Sequence, residues 1–262
     1  MTTENPPVLV QKFQADHIAL VTLNRPEAMN AVNGAVTLLL EKIVRECEED
    51  DDVWVVVLTG TGGKVFCAGA DLKEVSKGNL NSLISERNGL AGFVKAARTK
   101  PWIAAVEGLA LAGGCEIALA CDLIVASENG AFGLPEVTRG LVASAGGLYR
   151  LPRAIPPAIA KEIILTANRL PSRRAAELGM VNRLAKEGEV VDAAMALAKE
   201  ITANAPLAVR ESLAIANAAL DHDDDALYAE SQKVQERIMQ TEDFQEGPRA
   251  FVEKRAPRWT GR

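Results

Sequence analysis

Val53-Trp54-Val55-Val56-Val57-Leu58 is a short, unbroken apolar run between the acidic stretch Glu48 to Asp52 and the turn-forming Gly60-Thr61-Gly62-Gly63. A strand buried on both faces has this character, because neither side can carry polar alternation. Ile103-Ala104-Ala105-Val106 and Leu123-Ile124-Val125-Ala126 repeat it. Between them, Gly113 to Cys121 reads as a helix opening at a glycine pair. Strand, crossover helix, strand is the grammar of an α/β fold with parallel strands. Ahead of it, Val8 to Phe13 and Ile18 to Leu23 suit a hairpin. Val36, Leu39, Leu40, Ile43 and Cys47 fall at helical spacing. From about Asp192 strand-like runs cease, and Ala193 to Ala203, Pro206 to Leu220, Asp225 to Met239 and Thr241 to Lys254 read as helices. This sets a core of residues 1–197 apart from a helical region of residues 198–262.

Charge and rare residues exclude several function classes. Lys and Arg number 29 against 35 Asp and Glu, so a nucleic-acid partner gets no electrostatic support. No apolar run reaches membrane-spanning length, and Met1 to Pro7 has no secretory pattern, so a cytoplasmic location is expected. Cys47, Cys67, Cys115 and Cys121 form no Cys-x-x-Cys pair and read as reduced, buried thiols. Only two histidines exist, His17 before a strand and His222 in an acidic turn. Neither lies by sequence near a glycine-rich turn, as a Ser-His-Asp hydrolase or a zinc site would need.

The chemistry-bearing candidates are two glutamates twenty positions apart. Glu116 stands in Ala112-Gly113-Gly114-Cys115-Glu116, and Glu136 in Phe132-Gly133-Leu134-Pro135-Glu136. Glu116 has apolar neighbours, which is costly for a carboxylate unless it is paired or functional. A third small-residue turn is Phe66-Cys67-Ala68-Gly69-Ala70-Asp71. Two carboxylates can hold one water and move protons both ways. Two turns with bare N–H groups can bind a developing oxyanion. Together they suit addition of water to a carbon–carbon double bond beside a carbonyl. Taken singly, each turn suits a tight turn or helix start, Asp71 a helix cap, and Glu136 a surface carboxylate. Gly60-Thr61-Gly62-Gly63-Lys64 lacks the spacing of a phosphate loop, and Val65 stands where Ser or Thr is needed.

The ordered set of motifs resembles the crotonase (enoyl-CoA hydratase/isomerase) superfamily over nearly the whole chain. It comprises Leu23-Asn24-Arg25-Pro26 with Asn30-Ala31, the Phe66 to Leu72 turn, Lys100-Pro101-Trp102 with Ile103 to Val106, the two glutamate segments, Gly146-Gly147 and Glu246 to Arg255. The resemblance implies a spiral of ββα units followed by a C-terminal helical trimerisation region. It also implies an acyl-CoA thioester substrate and a homotrimer or a hexamer built as a dimer of trimers. By match, the N–H groups of Ala70 and Gly113 form the oxyanion hole, and Glu116 and Glu136 are the acid/base pair. Ala28, Ala68 and Leu72 match positions at the adenine end of CoA. Phe251 and Lys254 match a segment that closes over CoA, commonly from a neighbouring subunit. The implied reaction is reversible hydration of trans-2-enoyl-CoA, needing no metal and no cofactor beyond the CoA of its substrate. An enoyl-CoA isomerase and a non-catalytic binding protein are the rivals.

Two positions depart from the family pattern: Ala112 replaces a frequent third glycine, and Val142 a frequent proline. Leu151 to Ala158 and the ending Pro257 to Arg262 resemble the carnitinyl-CoA dehydratase branch, which keeps both glutamates. The segment Lys73 to Arg98 is expected to wall the acyl pocket, with Leu80, Leu83, Ile84, Leu90 and Phe93 favouring a plain fatty chain. A crotonobetaine-like cation would need an acidic or aromatic cradle, for which Glu86, Trp102 and Tyr149 are candidates.

Overall fold

The apolar run at Val53 becomes a central strand with protein on both sides. A computed structural model describes residues 6–262, so the first five residues of the segment scanned for a secretory pattern lie outside the described residues. β1 (Val8–Phe13) and β2 (Ile18–Leu23) form the expected antiparallel hairpin, Val8 opposite Leu23. α1 (Gly34–Glu49) is capped by the Asn33 side chain, which accepts from the Val36 N–H at 2.9 Å. It buries Val36, Leu40, Ile43, Val44 and Cys47, while Leu39 is only half-buried. The Nζ of buried Lys100 donates to Cys47 O and Asp50 O, both at 2.6 Å, satisfying carbonyls at the end of α1.

Three units then repeat one plan. The first is β3 (Val55–Gly60), β4 (Val65–Cys67) and α2 (Leu72–Ser76). A two-stranded ribbon, β5 (Ile84–Ser85) with β6 (Gly89–Leu90), follows. The second unit is β7 (Trp102–Val106), β8 (Leu109–Leu111) and α3 (Gly113–Ala120). The third is β9 (Leu123–Ser127), β10 (Ala131–Gly133) and, after a 3₁₀ turn at Glu136–Arg139, α4 (Gly147–Ala154). Each unit gives its first strand to one sheet and its second to another. α5 (Pro157–Thr166), β11 (Leu170–Pro171), α6 (Ser172–Glu177) and β12 (Arg183–Ala185) complete the core. The large sheet runs β1-β2-β3-β7-β9-β12 and the small one β11-β10-β8-β4. β2 through β12 in the large sheet are parallel, as are β10, β8 and β4 in the small one.

Strand alternation explains the unbroken apolar runs. Val56, Leu58, Trp102, Ala104 and Ile124 point into the main core with Phe66, Phe93 and Ile117. Val55, Val57, Ile103, Ala105 and Val125 point the other way, onto Val190, Ala194, Leu197 and Ala198 of α7 (Val190–Thr202). α7 is continuous across position 197 and lies on the large sheet. Truncating such a residue, Leu58→Ala for example, costs about 2–5 kcal/mol.

α8 (Pro206–Ala218), α9 (Asp224–Ile238) and α10 (Glu242–Glu253) form the helical tail. α9 buries no residue within the chain, and Leu220, Tyr228, Phe251 and Val252 are exposed. The last residues clasp α10: Thr260 and Gly261 N–H groups donate to Asp243, and the Trp259 indole donates to Ala203 O at 2.8 Å. Among the described residues no helix is long and apolar enough to cross a membrane. The cysteines are free and buried. His17 stacks on Trp54 at 3.7 Å, and His222 lies exposed between α8 and α9. Gly62 and Gly63, both at positive φ, make the turn from β3 to β4.

Candidate active site

The small sheet brings the three glycine-rich segments together. β8 lies between β4 and β10, with Ala110 opposite Cys67 and Phe132, and Leu111 opposite Gly133. The segments leaving β4 and β10 at their carboxyl ends therefore flank the one leaving β8, where ligands of parallel sheets commonly bind. Residues 68–71, 112–116 and 134–136 are those segments.

Glycine contacts show how tightly they meet. A Cβ built on Gly69 (φ +91°) would lie 2.7 Å from Gly113 N, and one on Gly113 would lie 3.7 Å from Ala70 N. A Cβ on Gly114 would lie 2.0 Å from Cys67 O, so the glycine pair lets α3 start against β4. Among the described residues, neither the Ala70 nor the Gly113 N–H donates to a protein acceptor. Both border one spot, and the α3 dipole adds positive potential there. Ala112 adopts φ 51° and ψ −129°, a conformation that glycine takes more readily. The departure noted in the sequence is thus a strained alanine next to Gly113.

A buried polar scaffold holds the Ala70 turn and gives the Asn24-Arg25-Pro26 motif a physical reason. Arg25 Nη2 donates to Asp71 Oδ2 at 2.9 Å, and Asp71 Oδ1 accepts from the Lys73 N–H, capping α2. Burial opposes ionisation of Asp71, yet the Arg25 guanidinium and these N–H bonds hold its carboxyl below its usual range. Asn30 Nδ2 donates to Thr61 O at 2.9 Å and Val65 O at 2.8 Å. The Val32 N–H donates to Gly69 O, and the Asp71 N–H to Val32 O, both at 2.8 Å.

Glu116 occupies the first turn of α3 with 3% of its surface exposed, and its Oε1 accepts from the Gly147 N–H at 2.9 Å. Burial pushes its carboxyl up to about 7; the Gly147 N–H pulls it down and the Glu136 charge pushes it further up. Glu136 opens the 3₁₀ turn and is half-buried. Its Oε2 is buried without a protein partner, and burial raises its carboxyl as well. Glu116 can accept and release a proton near neutral pH, with a second carboxyl of raised proton affinity close by.

The other sequence candidates fall into two groups. Ala28 ends a 3₁₀ turn, and the Ala68 N–H donates to Met29 O at 3.1 Å, which brings their segments together; Leu72, at the start of α2, is exposed. Phe251 and Lys254 stand at the end of α10, whose hydrogen bonds run to the C-terminal residues rather than to that group. Of the expected pocket wall, Leu83 and Phe93 belong to the core, and Leu80 and Ile84 face outward. Leu90 abuts Gly113: a Cβ on Gly113 would lie 2.6 Å from its Cδ2. Trp102 is fully buried, edge-on to Phe93 at 5.0 Å with the Arg98 guanidinium 5.7 Å above it. Glu86 and Tyr149 are exposed, in the 86–88 turn between β5 and β6 and on α4. The sequence reading missed Gly147 as the donor to Glu116, and also Leu90's contact and Arg150. The Gly146-Gly147 pair was the one available signal.

A profile of the enoyl-CoA hydratase/isomerase family matches residues 14–262. A crystal structure of an enoyl-CoA hydratase from Mycobacterium tuberculosis superposes with a TM-score of 0.94 at 50% identity, covering 98% of this chain and 100% of that one. The short-chain-enoyl-CoA hydratase of Clostridium acetobutylicum is 38% identical over 91% of this chain and 92% of its own. Carnitinyl-CoA dehydratase of Proteus mirabilis is 37% identical over 92% and 94%. With the ββα spiral and the converging glycine-rich turns, these likenesses make the chain a member of the enoyl-CoA hydratase/isomerase family.

Proposed function

We propose that the protein catalyses reversible hydration of trans-2-enoyl-CoA to 3-hydroxyacyl-CoA. The observation that carries this reading is the joint presence of two carboxylates, buried Glu116 and half-buried Glu136, beside two N–H groups that donate to no acceptor among the described residues. Attack of water on the β-carbon drives negative charge onto the thioester oxygen. The N–H groups of Ala70 and Gly113 receive that oxygen, and losing one such donor costs roughly 3–4 kcal/mol. The two glutamates hold the water between them. One accepts its proton while a carboxyl delivers one to the α-carbon. An isomerase needs a single proton shuttle, so the second carboxylate favours hydration.

Ala28, Ala68 and Leu72 are assigned to the adenine end of CoA. Phe251 and Lys254 are assigned to closing over CoA from a neighbouring copy. The exposed apolar residues of α9 and α10 favour a trimer-based homo-oligomer, expected in the cytoplasm. A light-scattering mass of one chain at micromolar concentration would overturn that assembly. The acyl group is read as a plain enoyl chain, because Trp102 is sealed in the core under Arg98 and offers a substrate cation no free face. The experiment is loss of enone absorbance with crotonyl-CoA and with crotonobetainyl-CoA. Faster hydration of crotonyl-CoA is expected. Preference for the cation would move the protein to the carnitine branch, double-bond migration without hydration would make it an isomerase, and no turnover would leave a binding protein.

A further inference from the structure

Arg150 is a half-buried charge that the proposed reaction does not consume. Its Nη1 donates to Ala145 O at 3.1 Å and its Nη2 to Val94 O at 2.6 Å. Its backbone N–H donates to Gly146 O at 2.8 Å, and its guanidinium lies 5.2 Å from the Tyr149 ring centroid. Gly146 adopts φ +126°, which side chains rarely take, and a Cβ there would lie 2.0 Å from Nη1, so glycine lets the loop turn here with the guanidinium against it. The next residue is Gly147, whose N–H holds Glu116. Val94 belongs to the segment whose Leu90 abuts Gly113. One side chain thus ties the loop that holds Glu116 to the segment that flanks the oxyanion turn.

We propose that Arg150 is a positioning residue for the proposed hydration: it locks residues 145–147 so that the Gly147 N–H fixes Glu116, and it sets a permanent positive charge beside that carboxylate. The inference rests on the hydratase reading. The charged and titratable groups around the pair are few. Glu136 faces Glu116 from the 3₁₀ turn, Cys115 adjoins it on α3, and Arg98, Cys121 and Tyr149 surround Arg150. Arg150 pulls the Glu116 carboxyl down, opposing burial and Glu136. A guanidinium so enclosed is costly unless its donors are used, and two carbonyls use them here.

The test compares Arg150→Met and Arg150→Lys with the wild-type protein. One readout is kcat and KM on crotonyl-CoA across pH. The other is infrared titration of the Glu116 carboxyl without substrate, assigned by Glu116→Gln. Arg150→Met is expected to lower kcat on the order of 100-fold with KM nearly unchanged, and to move the Glu116 titration to higher pH. Arg150→Lys keeps the charge, so its titration stays near wild type while kcat recovers in part. A folded Arg150→Met that titrates Glu116 at the wild-type pH overturns the proposal. If Arg150→Met does not fold, Arg150→Lys decides: reduced kcat at unchanged KM supports positioning, and wild-type kcat overturns it. A wild-type protein inactive on every enoyl-CoA sinks the hydratase reading instead, and the infrared titration still tests Arg150.

Discussion

Glu116 and Glu136 are the same side chain on two different supports. Glu116 sits inside a helix, almost without solvent, with one oxygen held by the Gly147 N–H. Glu136 opens a short 3₁₀ turn whose following residues, Val137 to Arg139, are exposed, and its buried Oε2 finds no hydrogen-bond partner among the described residues. One carboxyl is fixed and dehydrated; the other has a free oxygen at the edge of the site. Burial sets both proton affinities, while orientation comes from the partners each group finds.

The largest test of this contrast is removal of each carboxylate. Glu116→Gln and Glu136→Gln are each expected to cut turnover by roughly 100-fold or more, with binding of a CoA ester nearly intact. Near-normal turnover in either variant would make that residue structural. The two should differ in their pH profiles. Glu116→Gln removes the ionisation near 7, whereas Glu136→Gln removes a repelling charge and lowers the pH at which Glu116 titrates.

Next in size is stability against pH. The folded Glu116 carboxyl titrates at about 7 against an ordinary 4.5, so the folded state binds the proton more tightly than the unfolded one. Stability from this group is therefore complete below 4.5, falls as pH rises from 4.5 to 7, and stays lost above it. Glu116→Gln keeps an acceptor for Gly147 and carries no charge. It is expected to stabilise the protein at pH 8 by up to about 3 kcal/mol relative to pH 4, with a smaller gain for half-buried Glu136→Gln. Denaturant titrations at the two pH values check this, and equal gains would remove the distinction between the supports.

The smallest effect concerns the turn ahead of Glu116. Ala112→Gly should relieve the positive-φ strain, offset in part by greater freedom when unfolded, for a net gain of about 1 kcal/mol. Thermal melting measures it. A loss of stability would show that the alanine methyl contributes more by packing than its backbone costs.

Much of the fold was legible because its causes are local. Val53 to Leu58 is apolar throughout, and the strand there is covered by the main core and by α7. Glu116 stood out because a carboxylate among apolar neighbours on a short helix has few ordinary explanations. The expected pocket wall fared differently. Leu83 and Phe93 look like any ligand-facing apolar residues in sequence, yet they are core, while Leu90 reaches Gly113.

The sequence by itself determined the buried parallel strands, the helical tail and the identity of the two carboxylates, since period, glycine placement and charge are written residue by residue. Only the tertiary structure decided that Glu116 and Glu136 converge, because that follows from β8, which leads to Glu116, pairing with β10, which leads to Glu136. It also decided that Gly147 holds Glu116, that Arg150 braces Gly147's loop, and that Ala112 is strained. A hydrogen bond spanning thirty-one residues leaves no mark in local pattern; it exists because packed elements bring a donor and an acceptor within 2.9 Å and exclude the water that would otherwise satisfy both.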